Sequence, residues 1–185
     1  MQDQPNDIPT ASNATLNRLR AAVLGANDGI VSTSSVVMGV AGAGAGRQAI
    51  FTAGMAALVA GALSMAVGEY VSVSSQRDAE KVNAKHNSDA HNGEFTSPHQ
   101  AAVASFFAFS VGGLVPFIAT ILASEESRVL ITVLAVVVAL LVTGFSSAAI
   151  GGASRFRAMG RVMIGGLLAM AITYFVGAAF GATIV

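Results

Sequence analysis

The chain has 185 residues, 54% of them hydrophobic and 11% charged, against roughly 45–50% and about 25% in soluble domains. So few polar groups cannot clothe a water-soluble globule, and a formal net charge of zero leaves no basic footprint for nucleic acid. There is no cysteine, which excludes disulfides and thiolate metal sites and says nothing of redox compartment.

The expectation is a single all-α polytopic membrane domain, with the lipid bilayer as its first partner. Residues 1–17 are polar and contain Pro5 and Pro9; they read as a flexible tail. No signal-peptide pattern precedes the first apolar segment, so that segment would act as its own insertion signal. Five spans follow within residues 18–185. The first, about 19–43, ends in the small-residue run 41–46. The second, about 48–81, would be roughly 50 Å long at 1.5 Å per residue, against a ~30 Å hydrocarbon core. Its polar end, from Ser74 to Lys81, should therefore project into water. In the short polar linker 82–97, Asn92-Gly93 marks a turn, and Ser97-Pro98 reads as an N-cap with proline at the first helical position.

The third span, about 99–123, holds Gly112-Gly113 and Pro116, where the missing backbone bond predicts a kink that neighbouring helices can tolerate. Glu125, Glu126 and Arg128 form a polar turn before the fourth span, 129–150. Arg155, Arg157 and Arg161 form a basic loop before the fifth, 162–185. Of the ten Lys and Arg, Arg47 and Arg128 alone fall in turns on the side opposite the N-terminus. That bias places the N-terminus in the cytoplasm and the C-terminus across the membrane. Small residues recur in the spans, as Ala53, Ala57 and Gly61 or as Gly177 and Gly181; such faces allow close helix approach, either internally or at a homodimer seam. Five spans do not divide into equal inverted repeats, so a second copy of the chain is the simplest symmetric counterpart for alternating access.

Only two acidic residues, Asp28 and Glu69, lie inside apolar spans. A carboxylate at such depth needs a partner, a proton or an ion, and is a functional-site hypothesis by default. Asp28 falls near mid-bilayer and Glu69 nearer the cytoplasm, on antiparallel neighbours joined by a short turn, so the two acids are placed to line one cavity. Met65 stands one turn before Glu69 on the same face, and Asn27, Ser64 and Ser72 add neutral oxygens. Carboxylates with a thioether suit Fe²⁺, Mn²⁺ and similar ions over Mg²⁺ or Ca²⁺. Such a site is weak, as a carrier needs, and desolvation would let protons compete with metal.

Plainer readings exist for each residue. Asn27-Asp28-Gly29 would cap a broken helix, Glu69 would reach interfacial water, and Met65 would fill core space. His86, His91 and His99, with Asp89 and Glu94, match no metal-ligand spacing and read as a solvated linker. No nucleophile with an adjacent base, phosphate-binding loop or cofactor motif is present, so an enzyme is not expected.

The stretches Leu24-Gly-Ala-Asn-Asp-Gly-Ile-Val-Ser-Thr-Ser-Ser35 and Ala62-Leu-Ser-Met-Ala-Val-Gly-Glu-Tyr-Val-Ser-Val-Ser-Ser-Gln-Arg-Asp78 resemble the vacuolar iron transporter family. Ser105-Phe-Phe-Ala-Phe-Ser-Val-Gly-Gly-Leu-Val-Pro116 and the glycine-rich end of the fourth span fit as well, and the resemblance covers the chain from about Arg18 onward. It implies a five-helix homodimer that moves Fe²⁺ or Mn²⁺ out of the cytosol against protons, with Asp28 and Met65 on the path and Glu69 beside them. The membrane would be a bacterial inner or plasma membrane, or a vacuolar-type membrane in a eukaryote. Family members usually carry a sizeable cytoplasmic metal-gathering domain between the second and third spans. Here only about twenty residues separate Arg77 from Pro98, so none of those capture residues is carried over. The rival readings are a non-transporting membrane scaffold or regulatory protein that has kept the fold, and a proton-coupled carrier of another cation.

Overall fold

The structure, a computed structural model, describes residues 13–86, 95–152 and 154–184. It is all-α: α1 (Asn13–Gly42), α2 (Arg47–His86), α3 (Pro98–Leu122), α4 (Arg128–Gly151) and α5 (Arg155–Ile184). Each of the five is long and apolar enough to cross a bilayer, and there is no strand among the described residues. Side chains such as Phe107, Leu122, Val138 and Phe175 stand exposed on the outside. In water such a surface would be a liability, whereas hydrocarbon is as apolar as the side chains themselves.

The helix ends differ from the sequence expectation where tertiary contacts extend them. α1 starts inside the expected tail because Asn17 is buried at 8% exposure and its amide donates to Gln76 Oε1 at 3.2 Å. α2 continues to His86, into the expected linker, and Glu80 fastens its end by accepting from the Thr96 backbone N–H at 3.0 Å. Residues 1–12 of the tail and 87–94 of the linker lie outside the described residues. Pro98 does occupy the first turn of α3, but Ser97 makes no side-chain capping bond. α3 stays helical through Pro116, and Thr120 Oγ1 donates to the Pro116 carbonyl at 2.6 Å.

Two tight turns rest on glycine in the left-handed region, Gly44 at φ 73° after α1 and Gly152 at φ 65° after α4, where a Cβ would be strained. The helices run up and down, so α1, α3 and α5 begin at the end where α2 and α4 finish. The eight Lys and Arg other than Arg47 and Arg128 therefore gather at one end of the bundle.

α1 is the central helix and packs on all four others, whereas α2 packs only on α1 and α3. Glycine makes the close contacts possible. Gly25 and Gly29 of α1 sit against the α3 backbone at Ser105 and Phe109, and Gly112 of α3 sits against Ala26. At the other end, Gly177 and Gly181 of α5 lie on the α1 backbone at Gly39 and Ala43. The Gly177/Gly181 pair, which its sequence leaves open to an internal or an intermolecular role, is thus used inside the chain. Phe109, 1% exposed, fills the space beside Gly61 of α2, where a Cβ would meet its ring.

A Cβ at Gly29 or Gly177 would run into backbone that cannot swing away, so Gly29→Ala and Gly177→Ala should each cost about 1–3 kcal/mol, the usual range for overpacking. Gly165 has open space around it, and Gly165→Ala should be neutral or stabilise by up to about 1 kcal/mol. Thermal unfolding in detergent reads the contrast; equal effects at the three positions would refute the packing account.

Candidate functional site

α1 and α2 pair as antiparallel neighbours. A Cβ at Gly54 would meet Val37 near the turn, and at the basic end Arg20 pairs with Glu69 and Asn17 with Gln76. That register brings Asp28 level with residues 61–65 of α2, four to eight residues or about 6–12 Å along the axis from Glu69. The two acids therefore stand at different heights along the α1–α2 pair, and Arg20 is the ion-pair partner of Glu69.

Glu69 is 5% exposed and bound at 3.1 Å by Nη2 of Arg20, itself 52% exposed. Sequence reading allowed Glu69 to be an interfacial acid reaching water; the structure buries it and gives it a cation. In sequence, Arg20 reads as one of the basic residues that set the topology. The signal was present, since Arg20 and Glu69 stand at equal distances either side of the Gly44-Ala45 turn. Counting outward along a hairpin of straight helices pairs them.

The Arg20 pair opens a longer polar chain. Arg20 Nε donates to Asn17 Oδ1 at 3.2 Å, Asn17 to Gln76, and Gln76 Nε2 to Glu80 Oε1 at 3.2 Å. Glu80 Oε2 then takes the Thr96 N–H and, at 3.1 Å, its hydroxyl. The basic ends of α1, α2 and α3 are joined by this chain of hydrogen bonds, each bond modest alone and stronger within a network.

Asp28 is partly exposed, and α1 runs unbroken through Asn27-Asp28-Gly29, which removes the broken-helix reading. Among the described residues, no hydrogen bond or ion pair holds its carboxylate, while its backbone carbonyl accepts the Ser32 hydroxyl. Ser35, two turns on from Asp28 along the same face, has a buried Oγ with no partner among the described residues. Asp28, Ser32 and Ser35 thus form a stripe of oxygens that their i, i+4, i+7 spacing could have revealed.

Met65 is partly buried, one turn from Glu69, whereas Ser64 and Ser72 lie exposed on α2. Asn27 departs from the expected set: its Oδ1 is buried and unpartnered among the described residues, in a furrow with Thr143 and Ser147 of α4. Successive residues on a helix point about 100° apart, which is why Asn27 and Asp28 cannot share a face. No group of three or more His, Asp or Glu able to hold a metal occurs among the described residues. His99 packs against Tyr70, ring centroids 5.1 Å apart; Asp89, His91 and Glu94 lie outside the described residues. Arg128, expected in a polar turn, is buried at 6% exposure because it opens the inward stripe of α4 that continues through Thr132, Val136 and Leu140.

The sequence profile of the VIT family matches residues 19–93 and 82–178. Vacuolar iron transporter homolog 2 of Arabidopsis thaliana is 48% identical over 84% of this chain and 81% of its own length. Vacuolar iron transporter homolog 5 of Oryza sativa subsp. japonica is 45% identical over 87% of this chain and 79% of its own. Vacuolar iron transporter homolog 2.1 of Arabidopsis thaliana is 38% identical over 87% and 82%. The match fills about four-fifths of these relatives as well, leaving little room in them for a large additional domain. They are named as transporter homologs, not as enzymes. With five membrane-spanning helices and these matches over most of its length, the chain is an integral membrane protein and belongs to the VIT family.

Proposed function

We propose that the protein carries a divalent transition metal, Fe²⁺ or Mn²⁺, out of the cytosol in exchange for protons, as a homodimer, through a path on which Asp28, Met65 and Glu69 act in turn. The observation that carries this reading is the contrast between the two membrane acids. Glu69 is neutralised by Arg20, while the Asp28 carboxylate has no partner among the described residues. A bare carboxylate at that depth is costly unless an ion or a proton joins it. Support for the cargo comes from the relatives, which are named vacuolar iron transporter homologs.

The path begins at the basic end, cytoplasmic by the distribution of Lys and Arg. There Arg20 and Glu69 form a cover: an arriving cation competes for Glu69 only by displacing the guanidinium, which is half in solvent and also bound to Asn17. Deeper in, Asp28 stands level with residues 61–65 of α2, and a carboxylate joined by the Met65 thioether would favour Fe²⁺ and Mn²⁺ over Mg²⁺ and Ca²⁺. Ser32 and Ser35 continue the stripe beyond Asp28. The partly exposed side of Asp28 and the thinly covered α2 are where the second copy of the chain would complete the walls.

In proteoliposomes under a pH gradient, Asp28→Asn should lower Fe²⁺ and Mn²⁺ uptake by at least about tenfold, the scale of losing even an outer partner of a metal site. Unchanged uptake would reject the path, and absence of uptake by the unaltered protein would favour the scaffold reading. Met65→Leu should weaken uptake of these metals. A carrier of another cation would ignore that change and show competition by its own cargo instead. Metal affinity should fall as pH is lowered, because protonation removes Asp28 as a ligand; affinity that is constant with pH contradicts proton competition. Arg20→Gln leaves Glu69 buried and unpaired. It should cost about 1–2 kcal/mol, below the 3–5 kcal/mol of a fully buried pair because Arg20 is half exposed. Adding Glu69→Gln should recover most of that loss in thermal unfolding, and strictly additive losses would show that the pair is not coupled.

A further inference from the structure

We propose that the crease between α1, α4 and α5 at the basic end is a binding site for an anionic phospholipid, with the headgroup phosphate at Arg20 and Arg161 and an acyl chain along α1. The crease encloses about 470 Å³. Arg20 stands at its basic end, Leu19 and Val23 form its wall, and Ser147 and Val162 close the far side. Arg161, adjacent to Val162, is exposed, as are Arg155 and Arg157 on the first turn of α5. Arg20 uses Nε for Asn17 and Nη2 for Glu69, so its other terminal nitrogen keeps donors for a phosphate.

The crease does not end at α5. It shares Leu19, Val23 and Thr143 with a second furrow of about 450 Å³ between α1, α3 and α4. That furrow shares Ala26, Val111 and Thr143 with a third of about 330 Å³ that runs toward the middle of the bundle. The result is a continuous, almost wholly apolar groove on the outside of α1, and the Thr143 hydroxyl within it is already spent on the Ala139 and Leu140 carbonyls. α1 and α4 touch at the foot of the groove through Ile30, Met38 and Val136. It is therefore a seam between packed helices, lined by apolar side chains that an acyl chain can lie against.

Hydrocarbon gains nothing by leaving bulk lipid for an equally apolar seam. Residence must come from the headgroup, where a phosphate accepts charge-assisted hydrogen bonds from arginine and basic pockets between helices select anionic lipids. Selectivity should follow headgroup charge and ignore chain length. This inference shares Arg20 with the transport reading but needs neither Asp28 nor Met65, so lipid selectivity and metal uptake can fail separately.

Native mass spectrometry of the purified protein, given equal phosphatidylglycerol and phosphatidylcholine of the same acyl chains, tests it. Phosphatidylglycerol should be retained about fivefold more for each basic side chain engaged, and excess inorganic phosphate should not remove it. Ser147→Trp, which fills the crease, and the exposed Arg161→Gln should each reduce the preference at least by half. Equal retention of the two lipids, or a preference that survives both variants, overturns the proposal. A Ser147→Trp chain that loses a dimer present in the unaltered protein would assign the crease to a second copy and overturn it as well.

Discussion

The approach of α3 and α5 to α1 is the constraint on which the rest of the molecule depends. No hydrophobic force drives helices together inside a bilayer, so association must come from close packing and from polar groups. α1 supplies the closeness with Gly25 and Gly29 beneath the α3 backbone, and with Gly39 beneath Gly177 of α5. Each contact is backbone on backbone, which leaves no side chain to give way. With α1 fixed on two sides, the direction in which Asp28 projects is fixed too, and the acid is held at its depth by glycines one and three residues away.

The charges divide along the same frame. At the basic end, where water is near, Glu69 is paired with Arg20, and the chain of hydrogen bonds through Asn17, Gln76 and Glu80 reaches Thr96. That end can be rearranged cheaply because one member of the pair is half in solvent. Farther in, Asp28 has neither cation nor donor among the described residues, and its neighbours along α1 are serine oxygens. Under the proposed transport, a paired acid at the entrance and an unpaired acid beyond it would make a graded route for a cation. The lipid seam on the α4 side of α1 draws on Arg20 as well, so a headgroup and Glu69 would meet at one guanidinium.

Much of this was legible in the residues. Five apolar runs, the glycine-rich turn after Gly42 and the clustering of Lys and Arg lead to the five-helix arrangement, because helix length and charge placement are one-dimensional properties. The depth of Asp28 and Glu69 follows in the same way. What was not legible depends on rotation about a helix axis and on partners far apart in sequence. Asn27 adjoins Asp28 yet turns to α4; Ser64 and Ser72 stand near Glu69 in sequence yet face outward. Gly177 carries the same sequence signature whether it meets α1 or a second copy, and only packing decides. The helices also run farther than hydropathy alone suggests at Asn13 and His86, since polar side chains such as Asn17 and Glu80 find hydrogen-bond partners there.

The central claim is that Asp28 is the carboxylate kept free for metal while Glu69 is held by Arg20. Anomalous diffraction from crystals of the protein soaked in Mn²⁺ addresses it directly. The account predicts a metal peak within coordination distance of Asp28 and next to Met65, with any second peak at Glu69 accompanied by a displaced Arg20. Metal bound elsewhere in the bundle while the Asp28 carboxylate remains without a ligand would contradict it.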